Sequence, residues 1–348
     1  MTARTLDGCI KCGACVRACP VLAQEGRDAF PGPRRFTVEV PRIGGVIPSL
    51  RPALSMCTTC GRCEEVCPSR LPLPRALVQV RAIASAGTDL PDGQARMLDN
   101  VAGTGRTVVP DLPPPAIPSS GDLLFFPGCI AAGRLPEAVS AALRLLEAAG
   151  SRPFAPPGWA CCGSPLEKIG ATGPLEEVHA RNAGLLGTGR VVTACPGCTV
   201  ELRSAYGADA WHIIEHLHGL GGIPRERFDG TAPEVKVALH RPCHLARVVG
   251  PHTMDMARDL LEAAPGVQVV EHEGENDCCG GGGGVASSRP EVAEEMARRK
   301  VRSAREAGAE IILAPCPFCV VNLRRAGGME VEDLTTFLAR RLDPGQNK

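Results

Sequence analysis

The sequence predicts an α+β multidomain chain. A mostly α-helical head over residues 1–87 precedes a linker over 88–121 and two tandem α/β units with parallel sheets, over 122–230 and 231–348. Three observations carry this reading. The head holds one short motif twice, Cys9-x2-Cys12-x2-Cys15-x3-Cys19-Pro20 and Cys57-x2-Cys60-x2-Cys63-x3-Cys67-Pro68. Downstream, a longer order also runs twice: Cys129, Cys161-Cys162-Gly163, Cys195-Pro196-x-Cys198, then Cys243, Cys278-Cys279-Gly280, Cys316-Pro317-x-Cys319. Between these cysteines short strand-like runs alternate with helical ones, the pattern of parallel α/β layers.

Taken in order, residues 74–86 read as a helix leaving the second head motif, with Pro74 at its start. Residues 88–121 are rich in Pro, Gly, Asp and Ser and are expected to be, in part, an extended linker. The first unit is expected to run strand 123–126, helix 136–149, a short strand near Phe154, helix 174–186, strand 191–194 and a strand-to-helix stretch over 211–220. The second repeats it with strand 235–239, helix 253–264, strand 267–271, helix 290–307, strand 311–314 and a final helix ending near Leu342. Cys129, Cys195, Cys243 and Cys316 each follow a strand directly. Loops at the carboxyl ends of parallel strands converge on one edge, so each unit can gather its five sulfurs there.

An apolar fraction of 44% is enough for real cores, and a formal net charge of zero gives no bulk attraction to nucleic acid or acidic lipid. The chain reaches Cys9 almost at once, so no signal peptide is expected. The apolar runs are far short of the roughly 18 residues that suggest a spanning helix. Eighteen cysteines without an export signal argue for metal ligation in a reducing cytosol rather than for a disulfide scaffold.

Every cysteine falls into one of these patterns. Thiolates at x2, x2 spacing wrap three corners of a cubane, and the following x3-Cys-Pro sends the fourth to the other cluster. One ferredoxin-type [4Fe-4S] cluster is therefore expected on Cys9, Cys12, Cys15 and Cys67, and its mate on Cys57, Cys60, Cys63 and Cys19. Zinc also takes C-x2-C pairs, but seldom four cysteines so close, twice, each set closed by Pro. No such motif ends in the His that haem attachment needs. In the units, the five thiols Cys129, Cys161, Cys162, Cys195 and Cys198, and the five thiols Cys243, Cys278, Cys279, Cys316 and Cys319, exceed the need of one ordinary cubane. A zinc site on four of five, or a strained disulfide between neighbours, are the alternatives.

These series resemble the cysteine-rich CCG domains of heterodisulfide reductase and related proteins, and the resemblance covers nearly the whole chain. A two-cluster head joined to two such units is the arrangement of the D-type subunit of heterodisulfide reductase. It is also that of the iron–sulfur subunits of anaerobic glycerol-3-phosphate, glycolate and lactate dehydrogenases. The head, with Cys9-Ile-Lys-Cys12 and Phe30-Pro-Gly-Pro-Arg34, looks most like the glycerol-3-phosphate type; the two complete five-cysteine sets look more like the reductase. The resemblance implies one or two further clusters, of a non-cubane [4Fe-4S] kind, with a disulfide cleaved between them.

Other features are less specific. Gly280–Gly284 is a run of five glycines without the Lys-Ser/Thr of a phosphate loop. It is read as backbone approaching a cluster or substrate closely, with Gly163, Gly280 and Gly281 as cofactor-binding positions. His240 and His244 flank Cys243 and could hydrogen-bond thiolates or protonate a leaving one. His212, His216 and His218 share a helical stretch. No dinucleotide or flavin fingerprint follows a strand, so any flavin belongs to a partner. The expected function is electron transfer from the head clusters to the CCG clusters for disulfide reduction, with Cys162, Cys279 and His244 in catalytic roles. The alternatives are an electron relay for a flavin-linked dehydrogenase and a cluster-bearing sensor module. Expected partners are a flavoprotein or a cytochrome b membrane anchor and a small thiol or disulfide, with a cytoplasmic location, peripheral on the inner face of the membrane through a partner.

Overall fold

A computed structural model of the chain describes residues 6–40, 50–85, 89–110, 113 and 115–343. The head is built from short helices, Ala14–Arg17, Pro20–Ala29, Arg51–Leu54 and Arg62–Glu65, closed by the longer Leu73–Ser85. Its core is small. Phe30 and Phe36 are fully buried with ring centroids 5.5 Å apart, packed with Val21, Leu54, Leu77 and Val80. The same cluster continues into Val285, Val292, Ala293 and Met296 of the second unit. The head thus shares a core with that unit.

Each unit carries a four-stranded, all-parallel sheet. In the first, β1 (Leu123–Phe125), β2 (Pro153–Phe154), β3 (Val191–Thr193) and β4 (Ala210–His212) lie in the order β2-β1-β3-β4. In the second, β5 (Val235–Leu239), β6 (Val267–Val270), β7 (Ile311–Ala314) and β8 (Glu330–Asp333) lie in the order β6-β5-β7-β8. The central strands β1, β3 and β7 are buried throughout, as strands covered on both faces must be. The two units are fused. Helix Pro136–Ala148 of the first packs on helix Leu334–Arg340 of the second, and Ile213–Gly219 packs on His252–Glu262. One apolar core therefore runs from Phe125 and Leu145 to Phe337 and Leu338.

In both sheets the chain turns outward one way from the first strand and then crosses to its other side. The switch point lies between β1 and β3, and between β5 and β7. Loops part there at the carboxyl ends of the strands, which leaves a crevice. Cys129 and Cys195 flank the first crevice, and Cys243 and Cys316 the second.

Two expectations are corrected. Residues 88–121 are not simply a linker: Asp92–Thr104 forms a helix whose Val101 is buried in the common core. The Pro and Gly that signal a linker cluster after Gly103, and hid the helical spacing of Met97, Leu98 and Val101. The final helix is in fact two, Pro317–Ala326 and Leu334–Arg340, with β8 between them. The sequence Glu-Val-Glu-Asp of β8 is too charged to read as a strand. Its two buried acidic residues are held by partners from the helix that follows: Glu332 pairs with Arg340 at 2.8 Å, and Asp333 accepts from Thr335 N at 2.9 Å. Among the described residues no helix is long and apolar enough to cross a membrane.

Candidate metal centres and the cavity beside them

Each head motif curls tightly. Lys11 and Thr59 occupy the same place in the two copies, and both have positive φ, 57° and 53°. A non-glycine residue is strained there. Gly13 and Gly61 follow at φ 77° and 80° and open the short helices that carry the third cysteines. The curl aims the Thr59 N–H at Cys57 Sγ, 3.4 Å away. The fold brings the expected crossed sets together. Cys9, Cys12, Cys15 and Cys67 line one small cavity. Cys19 lies by Cys57, Cys60 and Cys63 instead. Burial pushes the Cys19 thiol up to about 12, aided by the neighbouring Cys57 and Cys60.

In the first unit Cys129 opens helix Cys129–Arg134, while Cys195 caps helix Pro196–Ala205, which carries Cys198. Cys161-Cys162-Gly163 enters from the loop after β2. Gly163 has φ 106°, and a Cβ there would meet His179 Nε2 at 2.5 Å. All five thiols are buried and in mutual contact, from Cys129 through Cys161 and Cys162 to Cys198 and Cys195. Hydrogen bonds from Cys161 and Cys198 bring Cys162 down to about 7. Polar side chains hold the loop from behind. Asn182 bonds Ala160 N and Cys161 O at 2.8 Å each, and Tyr206 Oη donates to Cys162 O at 3.0 Å. His179 Nε2 meets Glu201 Oε1 at 2.9 Å, and burial lifts the Glu201 carboxyl to about 7.

The second unit repeats the design with different chemistry. Cys316 caps helix Pro317–Ala326, and Cys279 Sγ lies 3.3 Å from Cys319 Sγ. Gly280 N–H and Gly281 N–H point at Cys278 Sγ and Cys279 Sγ, at 3.4 and 3.5 Å. The close approach read into the glycine run is present, and part of it is to the head: a Cβ on Gly283 would fall 2.2 Å from the Cys57 carbonyl oxygen. Where Gly163 packs on His179 in the first unit, Gly280 packs on Met296 in the second, and the place of Glu201, three residues after the last cysteine, is taken by Asn322. The second unit also buries Lys300, 1% exposed, which donates to the carbonyls of Gly274, Glu275 and Asp277 at 2.6, 2.9 and 3.0 Å. Burial brings this ammonium down to about 8. Asn322 donates to Cys279 O at 2.6 Å. His240 lies with Cys279 and Cys319, and His244 Nδ1 is 3.5 Å from Cys243 Sγ. Burial holds His244 down to about 3. His212 and His218 instead serve the scaffold, as a helix cap and as a partner of Asp259, and His216 is buried in the same helix.

Two residues that sequence reasoning missed join the parts. Arg81, on the last head helix, is 5% exposed. Its guanidinium donates to Leu54 O and Cys57 O in the head, Lys168 O in the first unit and Gly283 O in the second, at 2.5 to 3.0 Å. Arg247 of the second unit pairs with Glu65 of the head at 2.8 Å and reaches Asn276 O at 3.0 Å. Nothing in their local sequence marks them. The consequence is direct contact of the Cys60 and Cys278 side chains, so the second head set abuts the second unit.

A cavity of about 880 Å³ opens beside these centres. Its floor is Cys243, His244, Cys279, Cys316 and Cys319 of the second unit; Ser164, Pro196 and Gly197 of the first unit form the facing wall. Helix Asp92–Thr104 contributes Arg96, Met97 and Asn100. The first unit's thiols do not line it. They sit in a much smaller cavity behind Pro165 and Gly197, with Phe318 bordering both. Cys279 and His244 thus face the open space, and Cys162 does not.

The residues present suit iron–sulfur clusters. All eighteen cysteines are free thiols, gathered in sets whose members mostly push one another's ionisation up. Bound cations would reverse that effect. Glycine N–H groups aimed at sulfur provide the usual outer support.

Comparison with known proteins agrees with this chemistry. A cysteine-rich domain family matches residues 123–203 and again 237–324, and a 4Fe-4S dicluster domain family matches 5–71. A fumarate reductase (CoM/CoB) subunit of Methanothermobacter marburgensis is 31% identical, covering 92% of this chain and 68% of that protein. A dihydromethanophenazine:CoB–CoM heterodisulfide reductase subunit of Methanosarcina acetivorans, of the D type, is 27% identical, covering 97% and 94%. A probable glycolate oxidase iron–sulfur subunit of Bacillus subtilis is 24% identical over 95% and 90%. The fold resembles a crystal structure of a hypothetical protein from Helicobacter pylori, with TM-score 0.57 and 10% identity over 91% of this chain and 68% of that one. Likeness to these relatives runs through the head and both units in the same order, so the chain belongs to the family of CCG-domain iron–sulfur oxidoreductase subunits.

Proposed function

We propose that this protein reduces a small disulfide at the second CCG unit, with electrons entering through the head. The cavity carries the reading: about 880 Å³ of open space meets four unit-two cysteines directly. The proposed ligands are the crossed head sets and the two five-cysteine sets, giving two ferredoxin-type [4Fe-4S] clusters and one further cluster per unit. Bound there, such groups supply one-electron transfer and a Lewis-acidic iron for sulfur. The net reaction is R–S–S–R′ plus two electrons and two protons to RSH and R′SH.

The chain's own residues would bind, orient and shield. Gly281–Gly284 and Asn322 form a wall with no bulky side chain beside Cys279, so a substrate sulfur can approach closely. His244 lines the same cavity beside Cys243, placed to hydrogen-bond a departing thiolate. Arg81 and Arg247 hold Cys57 and Cys60 against the second unit, which keeps the head and CCG sets in one series. The reductant is a partner flavoprotein or a cytochrome b membrane protein, the latter placing this chain on the cytoplasmic membrane face.

The sealed position of the first unit's thiols favours a second reading, a relay for a flavin-linked dehydrogenase. EPR of the anaerobically purified, oxidised protein, titrated with small thiols and disulfides, separates the two. The reductase reading expects a thiol to change a CCG-cluster signal, and Cys279→Ala to abolish both that change and turnover while the head clusters still accept electrons from dithionite. If no thiol or disulfide changes the signal while electrons pass from a flavin partner to a quinone analogue, the relay reading stands instead.

A further inference from the structure

The second unit holds a nitrogen donor that the first lacks. His240 directly follows β5, and its N–H donates to the Leu313 carbonyl at 2.8 Å, extending the pairing with β7. The residue is 1% exposed, and neither ring nitrogen has a hydrogen-bond partner. An imidazole left so loses its hydration with nothing to offset the loss. The ring is aimed at sulfur: one of its nitrogens, Cys279 Sγ and Cys319 Sγ all lie within 4.8 Å of one another.

The first unit shows what the fold alone requires at this point. The equivalent residue is Phe126, whose N–H donates to Val192 O at 2.7 Å in the same ladder position. Its ring packs edge-on against Trp159, with centroids 5.7 Å apart. An apolar ring therefore satisfies the backbone and the core. The imidazole of the second unit is surplus to both, and it stands where two thiols converge.

We propose that His240 is an iron ligand of the cluster in the second unit, through a ring nitrogen, alongside Cys279 and Cys319. The second site is then a mixed nitrogen–sulfur site, while the first is ligated by sulfur alone. The inference rests on the iron–sulfur reading of the second unit.

The test is pulsed EPR on the whole chain grown with 15N-histidine, beside unlabelled protein and the variants His240→Phe and His244→Phe, with iron counted in each. The expected result is a strong nitrogen coupling on one CCG signal that changes with the label, survives in His244→Phe and is lost in His240→Phe. A coupling that persists in His240→Phe, or is lost only in His244→Phe, overturns the proposal, as does a weak coupling typical of a hydrogen-bonded ring. Should His240→Phe fail to load iron, the labelled wild type and His244→Phe still decide. Full iron without histidine coupling refutes this inference alone; no iron in the second unit refutes the cluster reading beneath it.

Discussion

A single guanidinium decides how the head sits. Arg81 is buried with its N–H groups spent on carbonyls from the head and both units. Arg81→Met keeps the apolar stem but strands those carbonyls. Bonds to a charged donor are worth about 1.5–3 kcal/mol each, so a loss of about 3 kcal/mol or more is expected. Thermal unfolding and limited proteolysis between the head and the units measure it; an unchanged melting temperature would contradict this role. The crossed head ligands make a second test at this scale. Cys19→Ser should damage the cluster built on Cys57, Cys60 and Cys63, beside which Cys19 lies, and spare the one on Cys9, Cys12 and Cys15. Site-resolved EPR showing loss confined to the latter would refute the crossing.

At the scale of elements, the two units use one plan with different parts. The last strand of each sheet runs into a capped helix. The cap is His212, the last residue of β4, with Glu215 completing a capping box, and Asp333, the last residue of β8, whose Oδ1 accepts from Thr335 N at 2.9 Å. Burial pushes the Asp333 carboxyl up to about 6. It therefore binds its proton more tightly folded than unfolded. That contribution is full below about pH 4, near the unfolded value, and is lost as pH rises through about 6. Asp333→Asn keeps a good cap and removes the titration. It is expected to flatten the stability curve between those values and to raise stability at pH 7.5 by on the order of 1 kcal/mol. Denaturant unfolding at pH 4 and 7.5 checks both signs. The glycine loop gives an opposite case. Gly283 has φ 64° with no room for a Cβ against Cys57 O, so Gly283→Ala should shift the Cys57–Thr58 segment and cost about 2 kcal/mol or more. A weakened magnetic interaction between the head and unit-two centres would report it; an unaltered spectrum and stability would not fit.

For the whole molecule, the common core and the buried arginines make one body of three sequence segments. Four full [4Fe-4S] sites amount to about sixteen irons, and anaerobic protein is expected to approach that number, with little zinc, by elemental analysis. Stoichiometric zinc in place of iron would end the redox reading.

The grouping of the cysteines into sets and the strand–cysteine order were legible in the sequence because both are local. A cluster needs thiols at fixed short spacings, and a parallel strand delivers the residue after it to a known edge. The tandem repeat likewise announced two parallel sheets. What joins these parts was not legible, because it depends on residues far apart in the chain. Arg81 meets Gly283, Cys60 meets Cys278, and Asp92–Thr104 closes a cavity between segments it does not adjoin in sequence. β8 was hidden because its acidic residues are buried against partners, Arg340 and Thr335, that only the fold brings to them. The sequence by itself determined that this chain gathers thiols for iron–sulfur chemistry in a head and two units. Only the tertiary structure decided which sets touch, and that among the described residues four of the second unit's thiols, and none of the first unit's, line the cavity of about 880 Å³. Burial and contact between distant segments are set by packing, and no spacing rule records them.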